Sequence, residues 1–591
     1  MKKLILSLIC LAAAWGAAAK VELPEIIGSD MVLQQNAQCH LWGWADPRAT
    51  VRIETSWGAE CTVRSDADGR WSALVNTPAG SYEPQQVTIV SGDRVVLDNV
   101  LIGEVWFAGG QSNMEMPLRG FNNCPIAGAN EIIARAGSMR DRLRYVKIPL
   151  TAAYTPQERV PGKWRPCTVE TAPDFTATGY FFAELLSDVL DVPVGIVDCT
   201  WGGTRVEGWT NREILETYPD IDLTEKGIEA TTHWLRPMVM YNAMLHPVAG
   251  YTVRGFLWYQ GESNVNQYKD YAVRLSNMVG LWRSLWKQGD IPFYYVEVAP
   301  FAYGSGNGPY LREAQWEARE LIPNSGVICT NDLVEPYEAT NVHPKNKRDV
   351  GHRLAFMALN KTYGFSDIAC ESPRFRSIEI RDGKAYVVLS HTEEGFSRME
   401  DIRGFEVCGP DRVFHPADVA VDRRKLLLVI SSKEVVRPVA CGTGSAISCP
   451  AIWPTSGVYR SCRSARTISE CLGYRNRKPA GRRVSCLFGG YFFQYHVHPF
   501  GMAADILGDE GALGDHLYFL GAQILQYVVH QLGADALPFV FFRDFGVCQD
   551  NESLGFDVFD DGDVVAQVEF VALFVGIVDQ RVFSFFHNLV L

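Results

Sequence analysis

The residues best suited to chemistry in this sequence are a serine and a histidine, each placed where a turn meets a predicted helix. Ser112 follows Gly109 and Gly110 directly after an apolar run. Its hydroxyl would face a cleft and its amide would lie near a helix start, where developing negative charge is favoured. His343 precedes Pro344, a good first helical residue, which would fix the position of the imidazole. The pair predicts covalent catalysis, with Ser112 as nucleophile and His343 as general base.

Donors for a developing oxyanion follow two neighbouring apolar runs. Gly202 and Gly203 come shortly after the run 194–200, where a glycine lets a backbone N–H approach the reacting atom without a side chain in the way. Gln260 follows the run 256–259 and can add a neutral amide donor. Together with the amide of Ser112, these groups predict a site that stabilises a tetrahedral intermediate.

The segment 102–370 must position these residues, and it alternates apolar runs with stretches of helical period. The runs are 105–108, 194–200, 256–259, 293–298 and 327–330, and the helical stretches are 179–190, 268–286, 311–321 and 346–359. This alternation predicts an α/β fold with a parallel sheet covered by helices on both faces. Ligands bind beyond the carboxyl ends of the strands in such sheets, which is where the candidate residues lie.

Two β-rich regions flank this segment. Residues 20–101 show short alternating runs separated by turn signals such as Asp68-Gly69 and Gly92-Asp93, which predicts an antiparallel β-sandwich or similar domain. Alternation returns in residues 371–440, which predicts a second, smaller β-element. We therefore expect a catalytic domain between two β-structures.

Charge and the amino terminus limit the class of protein. A formal net charge of -13 argues against a nucleic-acid partner, because such binders concentrate Lys and Arg. Residues 1–19 combine Lys2 and Lys3, an apolar core and terminal alanines, which predicts a cleavable signal peptide and a secreted or periplasmic protein. That apolar core is too short to span a membrane, no later run is long enough to predict membrane insertion, and no cysteine spacing indicates a metal site.

Three further residues are candidates for contact with substrate. Trp201 could line a sugar cleft, since an aromatic face suits carbohydrate, and Arg205 offers a forked donor for a carboxylate. Glu262 is a third candidate, although a role in bracing its own loop is the favoured interpretation. Trp201 and Arg205 together suit a carbohydrate that carries a carboxylate.

Four ordered blocks of this sequence resemble the sialate O-acetylesterase family of SGNH/GDSL hydrolases, which is related to acetylxylan esterases. The blocks are GEVWFAGGQSNMEMP, WGGTRVEGW, WYQGESN and NVHPKNKRDVGHRLA, and the resemblance covers roughly residues 21–440. It implies a three-layer α/β/α, flavodoxin-like catalytic domain with flanking β-sandwich-like elements and no metal or cofactor. It also implies Ser112 as nucleophile, His343 as base, and oxyanion donors from the Ser112 amide, Gly203, and Gln260 or Asn264.

The sequence departs from the family pattern just before the histidine. Many SGNH enzymes carry an aspartate two or three residues earlier, but Thr340 and Asn341 occupy those positions here. The acid that orients the imidazole is then Asp332, Glu335 or Glu338, or a backbone carbonyl completes a dyad. We favour Asp332.

The resemblance implies a carbohydrate O-acetylesterase, foremost a sialate O-acetylesterase that works through an acetyl-enzyme. Two alternatives stay open. One is an acetylxylan esterase, and the other is a glycan-binding protein whose catalytic domain has lost activity.

The character of the sequence changes at Cys441. Family members continue after a strand like 435–440 with a segment resembling VRYGFRNFLPGNLA. With one choice of codons, reading that segment one base later gives CGTGSAISCPAIWP, the sequence at 441–454. We therefore predict that residues 441–591 are a frameshifted, non-native tail, with a genuine extra domain as the alternative.

Overall fold

The computed structural model describes residues 20–392, 402 and 404–443, together with the backbone of five strands between 483 and 571. The chain divides into two units, Met1–Asn476 and Arg477–Leu591. The predicted signal peptide, residues 1–19, lies outside the described residues. So does most of the tail 441–591, and both interpretations stay predictions.

The first unit contains three groups of strands. The first group is β1 (Val32–Gln34), β2 (Gln38–Trp44), β3 (Thr50–Thr55), β4 (Glu60–Arg64), β5 (Arg70–Asn76), β6 (Ser81–Ser91) and β7 (Asp93–Gly110). The second group is β8 (Leu143–Lys147), β9 (Trp164–Pro166), β10 (Val194–Thr200), β11 (Gly255–Tyr259), β12 (Phe293–Val296) and β13 (Ser325–Ile328). The third group is β14 (Arg374–Arg381), β15 (Lys384–Ser390), β16 (Phe405–Cys408), β17 (Phe414–Asp422), β18 (Leu427–Ser431) and β19 (Ala440–Thr443).

The helices lie between β7 and β14. They are α1 (Ser112–Glu115), α2 (Ala129–Arg135), α3 (Ala177–Leu190), α4 (Arg212–Leu215), α5 (Glu225–Ala230), α6 (Tyr268–Trp286), α7 (Gly308–Leu321) and α8 (Arg348–Lys361). Short 3-10 helices include Val206–Trp209, His233–Leu235, Glu262–Gln267, Asn331–Leu333 and Pro336–Glu338. Among the described residues, no helix has both the length and the apolar character needed to cross a membrane.

The central sheet runs in the order β13-β12-β11-β7-β10-β8-β9. All neighbouring pairs are parallel except β8 and β9. Gly110, the last residue of β7, pairs with Thr200 on one side and Tyr259 on the other. The carboxyl ends of these three strands are therefore level, and the loops that follow them meet at one edge of the sheet.

Alternate residues of the central strands pack into two separate hydrophobic clusters, because successive side chains of a strand point to opposite faces. One cluster contains Phe107 and Trp258 together with buried residues of α6 and α7. The other contains Trp106 and Leu257 together with buried residues of α3 and α8. The chain thus has the mixed α/β class, with a central sheet, that the sequence predicts.

Strand β7 connects the central sheet to the amino-terminal β-structure. It is 18 residues long. Its first half pairs with β6 and β1, and its second half pairs with β10 and β11. Strands β2 and β5 form a separate antiparallel pair. The boundary predicted between residues 101 and 102 therefore falls inside one continuous strand.

The remaining strands form sheets of their own. In the first unit, β14 to β19 make a six-stranded sheet around a small apolar core. In the second unit, the described strands are β20 (Arg483–Phe488), β21 (Tyr491–His498), β22 (Gly501–Asp505), β23 (Ser553–Asp560) and β24 (Asp563–Val571). They pair antiparallel within β20–β22 and within β23–β24.

Helices α3 and α8 approach so closely that one position admits only glycine. A Cβ at Gly351 of α8 would lie 2.7 Å from the Cβ of Phe181 and 2.7 Å from the carbonyl oxygen of Thr178. We expect Gly351→Ala to lower the free energy of unfolding by about 1–3 kcal/mol, because the helices must separate. Urea unfolding followed by circular dichroism measures this change.

Gly280 of α6 provides the matched control, since no atom lies within 4 Å of a Cβ built there. We expect Gly280→Ala to raise the free energy of unfolding by about 0.4–1 kcal/mol through the lower backbone entropy of the unfolded chain. Equal effects from both substitutions would contradict the close packing of α3 against α8.

Candidate active site

Ser112 is held at the end of β7 by a turn that requires glycine. Gly110 has a φ of 136°, and a Cβ there would lie 2.3 Å from the carbonyl oxygen of Tyr259. The next residue, Gln111, donates its backbone N–H to that same carbonyl at 3.0 Å. The chain then enters α1, so Ser112 starts a short helix at the edge of the sheet.

His343 reaches this serine from a distant part of the chain. Its Nε2 lies 2.8 Å from Oγ of Ser112, although the residues are 231 positions apart. Its backbone N–H donates to Oδ1 of Asn341 at 2.9 Å, and its ring meets that of Phe121 edge-on at 5.4 Å. The nucleophile and base predicted from the sequence are thus within hydrogen-bonding distance.

The imidazole of His343 is biased towards its neutral form. Burial, and to a smaller extent the charge of Lys347, together lower its pKa from 6.5 to about 4. A neutral imidazole can accept the proton of a serine hydroxyl, whereas an imidazolium cannot. The arrangement therefore suits a general base over a wide pH range.

Asn113, buried directly after the serine, ties the histidine loop to the nucleophile. Its Nδ2 donates to the carbonyl of Val342 at 2.9 Å and to Oε1 of Glu262 at 2.5 Å. Its Oδ1 accepts from Nζ of Lys347 at 2.8 Å, and Nζ also donates to the carbonyl of Pro344 at 2.7 Å. These two carbonyls belong to the residues on either side of His343. The amide of Asn113 and the ammonium of Lys347 therefore hold the backbone that carries the base.

The charges in this network are buried. Burial lowers the pKa of Lys347 to about 7, while Glu262 and Glu338 favour its charged form. Burial raises the pKa of Glu262, and its hydrogen bond from Asn113 acts in the opposite direction. Glu262 had been a candidate for substrate contact, but the structure places its carboxyl group on Asn113, in the bracing position.

The glycine loop after β10 lies directly against the nucleophile. A Cβ at Gly202 would lie 3.3 Å from the Cβ of Ser112, and the Gly202 amide donates to Oε2 of Glu115 at 2.5 Å. No hydrogen bond in the described chain engages the amides of Ser112 or Gly203. Two of the predicted oxyanion donors are therefore unoccupied.

The side-chain amides proposed as oxyanion donors point into the loops instead. Gln260 donates to the carbonyl of Thr204 at 3.0 Å and to Oδ1 of Asn264 at 2.8 Å. Asn264 donates to Oε2 of Glu207 at 2.9 Å, and that carboxylate pairs with Arg274. Gln260 and Asn264 thus join the loop after β11 to the loop after β10, and their amide groups are bonded to residues of these loops.

The candidate orienting acids are engaged elsewhere. Asp332 makes two hydrogen bonds to the guanidinium of Arg353, at 2.7 and 2.6 Å. Glu338 accepts the backbone N–H groups of Glu335 and Lys345, both at 3.0 Å. Across residues 20–392, no carboxylate forms a hydrogen bond with Nδ1 of His343. Asp332, the favoured orienting acid, is therefore bound to Arg353 and not to the imidazole.

Arg205 and Trp201 lie on the same side of the site as the glycine loop. Arg205 donates through Nε to the carbonyl of Ser263 at 3.0 Å, and Ser263 donates from Oγ to the carbonyl of Gly203 at 2.8 Å. In the described chain, no hydrogen bond engages the outer nitrogens of this guanidinium. Trp201 is half-buried and its ring contacts that of His233. Both predicted substrate residues thus lie beside the glycine loop, and neither is fully buried.

Sequence reasoning gave no role to Asn113, Lys347, Glu115 or Phe121. Asn113 and Glu115 stand in the first quoted block, one and three positions after Ser112. Lys347 stands in the fourth block, four positions after His343. That proximity was the available signal. The hydrogen-bond partners come from distant segments, so the sequence could not indicate what each side chain contacts.

Comparison with known proteins gives matches to carbohydrate esterases. A family profile described as carbohydrate esterase, sialic acid-specific acetylesterase, matches residues 103–360. The sialate O-acetylesterases of Homo sapiens and Pongo abelii are each 26% identical, with 73% of this chain and 89% of each relative covered. The crystal structure of a carbohydrate acetylesterase from Xanthomonas citri matches with a TM-score of 0.64 and 32% identity, covering 72% of this chain and 95% of that one.

These matches define a hydrolase that acts on carbohydrate esters. The chain belongs to the carbohydrate esterase family described as sialic acid-specific acetylesterases. The resemblance recognised in the four sequence blocks is confirmed.

The burial of His343 leads to a prediction about pH. We expect kcat/KM for para-nitrophenyl acetate to fall on acidification with a midpoint near pH 4, because the base is lost only when the pH drops through its lowered pKa. Stopped assays across the acid range measure the midpoint, and circular dichroism at each pH shows whether the protein is folded. A midpoint near the ordinary value of 6.5 would contradict the assigned environment.

Lys347 tests the electrostatic part of this prediction. Lys347→Met removes the positive charge that lowers the pKa of His343, so the acid midpoint should move upward while kcat falls. The control is Lys345→Met, two residues away. The Lys345 ammonium donates to the hydroxyl of Tyr337, and its removal should leave the midpoint in place. Equal shifts of the acid midpoint in both variants would contradict the prediction, because the buried ammonium of Lys347 would then not be the cause.

Proposed function

We propose that this chain is a serine-dependent carbohydrate O-acetylesterase whose foremost substrate is an O-acetylated sialic acid. The proposal includes the three-layer SGNH arrangement for the catalytic domain. The observation that carries it is the 2.8 Å contact between Ser112 Oγ and His343 Nε2 at the level ends of the central strands. The names of the family and of the curated relatives support the substrate class.

In the proposed reaction, Oγ of Ser112 attacks the acetyl carbonyl while Nε2 of His343 takes the hydroxyl proton. The tetrahedral oxyanion accepts hydrogen bonds from the amides of Ser112 and Gly203. The intermediate collapses as His343 returns the proton to the sugar oxygen, which leaves as a free hydroxyl. A water molecule, deprotonated by the same imidazole, then attacks the acetyl-enzyme and releases acetate and free Ser112.

The reaction needs an imidazole of fixed orientation, which a carboxylate supplies in many serine hydrolases. Here we assign that task to the backbone on either side of His343. Asn113 holds the carbonyl before it, and Lys347 holds the carbonyl after it. The base can then be positioned without an anionic partner, which agrees with its low pKa.

Arg205 is the reason why we favour a sialic acid as the substrate. Its Nε is fixed by Ser263, while the outer nitrogens are open in the described chain. A guanidinium fork of this kind matches the two oxygens of a carboxylate. Sialic acids carry a carboxylate, whereas acetylated xylan is neutral at its acetylated units. Export through the signal peptide at residues 1–19 would bring the enzyme to extracellular glycans.

Acetate release from O-acetylated N-acetylneuraminic acid tests the reaction. Ser112→Ala should lower kcat by at least about a thousandfold, because the covalent step is lost while the oxyanion donors persist. Ser284→Ala, an exposed serine of α6, is the control and should keep the wild-type rate. Retained glycan binding with no turnover by the wild type would favour the non-catalytic alternative.

Arg205 tests the substrate class by comparison of two esters. We expect Arg205→Met to lower kcat/KM for the acetylated sialic acid by about tenfold or more, as expected for a charge-assisted contact of about 1.5–3 kcal/mol. Its kcat/KM for acetylated xylan should change far less. Arg212→Met, on the neighbouring helix α4, is the control. Wild-type activity on xylan alone would move the chain to the acetylxylan esterases.

A further inference from the structure

Three aromatic rings stand together beside the glycine loop of the active site. The rings of Trp201 and His233 have centroids 5.9 Å apart, and those of His233 and Trp234 are 4.7 Å apart at 79°. We call these three residues the aromatic corner. His233 and Trp234 belong to a short 3-10 helix, His233–Leu235, that precedes β11.

Trp234 reaches the loop that follows β10 closely. A Cβ at Gly203 would lie 2.8 Å from Cδ1 and 3.1 Å from Nε1 of Trp234, so the indole edge occupies the space that a side chain would take. The preceding residue, Gly202, contacts the nucleophile in the same way. The aromatic corner therefore adjoins the place where the ester must bind.

The indole is open to solvent despite this close contact. Trp234 is 40% exposed, and no hydrogen bond in the described chain engages its Nε1. A partly exposed indole gains free energy when a ligand covers its face. An indole offers a flat apolar face together with one N–H donor, which matches the C–H face and the hydroxyl groups of a pyranose ring.

We propose that the aromatic corner is a sugar-binding subsite in which Trp234 stacks on the pyranose ring that carries the acetyl group. This inference rests on the proposed function and extends it to the sugar itself. Arg205 connects to Gly203 through Ser263, and Trp234 contacts Gly203 directly, so a carboxylate fork and an aromatic face adjoin the same loop.

Two ester substrates distinguish a loss of sugar binding from a loss of catalysis. Para-nitrophenyl acetate needs the nucleophile and base but has no sugar, whereas O-acetylated N-acetylneuraminic acid needs both. Trp234→Ala should lower the ratio of kcat/KM for the sugar ester to that for the aryl ester by about tenfold, mainly through KM. Trp234→Phe keeps a ring face but loses the N–H, and it should give an intermediate ratio.

Phe365→Ala provides the control, since Phe365 is also 40% exposed but lies after α8 and outside the aromatic corner. Its ratio should equal that of the wild type. An unchanged ratio in Trp234→Ala would overturn the proposal. A parallel loss of both activities would also overturn it, because Trp234 would then only support the glycine loop.

Calorimetric titration keeps the subsite testable if the proposed reaction fails. Ser112→Ala protein, with and without Trp234→Ala, is titrated with O-acetylated N-acetylneuraminic acid. Binding that weakens about tenfold without Trp234 supports the subsite even when the wild type releases no acetate. Equal binding by the two proteins, or binding by neither, overturns it.

Discussion

The hydrogen bond between Ser112 and His343 places the strictest demand on this fold. A proton can pass between the two side chains only when their heavy atoms stay within about 2.6–3.2 Å. The residues that carry them lie at opposite ends of the catalytic region, so no local structure can hold that distance. The parallel sheet brings them together, because Ser112 follows β7 and the segment that carries His343 follows β13 of the same sheet. Gly110 makes the last pairing of β7 with β11 possible, since any side chain there would meet the carbonyl of Tyr259.

A second constraint on the fold is that the charges of Lys347 and Glu262 are buried and therefore need polar partners. An isolated ammonium or carboxylate in a protein interior is costly, and removing one partner of a buried pair typically costs about 3–5 kcal/mol. Lys347 and Glu262 reduce this cost by sharing Asn113 between them. Their lowered and raised pKa values record the remaining desolvation. Asn113 and Lys347 also hold the backbone carbonyls beside His343, so the stability and the geometry of the site depend on the same two side chains.

The sequence predicted the elements better than the contacts. Strand β10 and helix α6 have the bounds that were expected, because apolar runs and helical periodicity are local properties of the chain. Ser112 and His343 could be placed because residues after parallel strands converge. The direction of a side-chain amide is different. Gln260 and Asn264 donate to Thr204 and Glu207, which belong to another loop, and only the packing of the two loops decides that outcome.

Strand β7 has a consequence for how the first unit unfolds. Its first half is hydrogen-bonded to the amino-terminal strands and its second half to the catalytic sheet, without a linker between them. Melting either region would strip backbone partners from the same continuous strand, so neither can open at low free-energy cost while the other stays intact. The two regions should therefore share one cooperative transition. The amino-terminal strands then act as part of the thermodynamic unit that carries the catalytic serine, and not as an independent module.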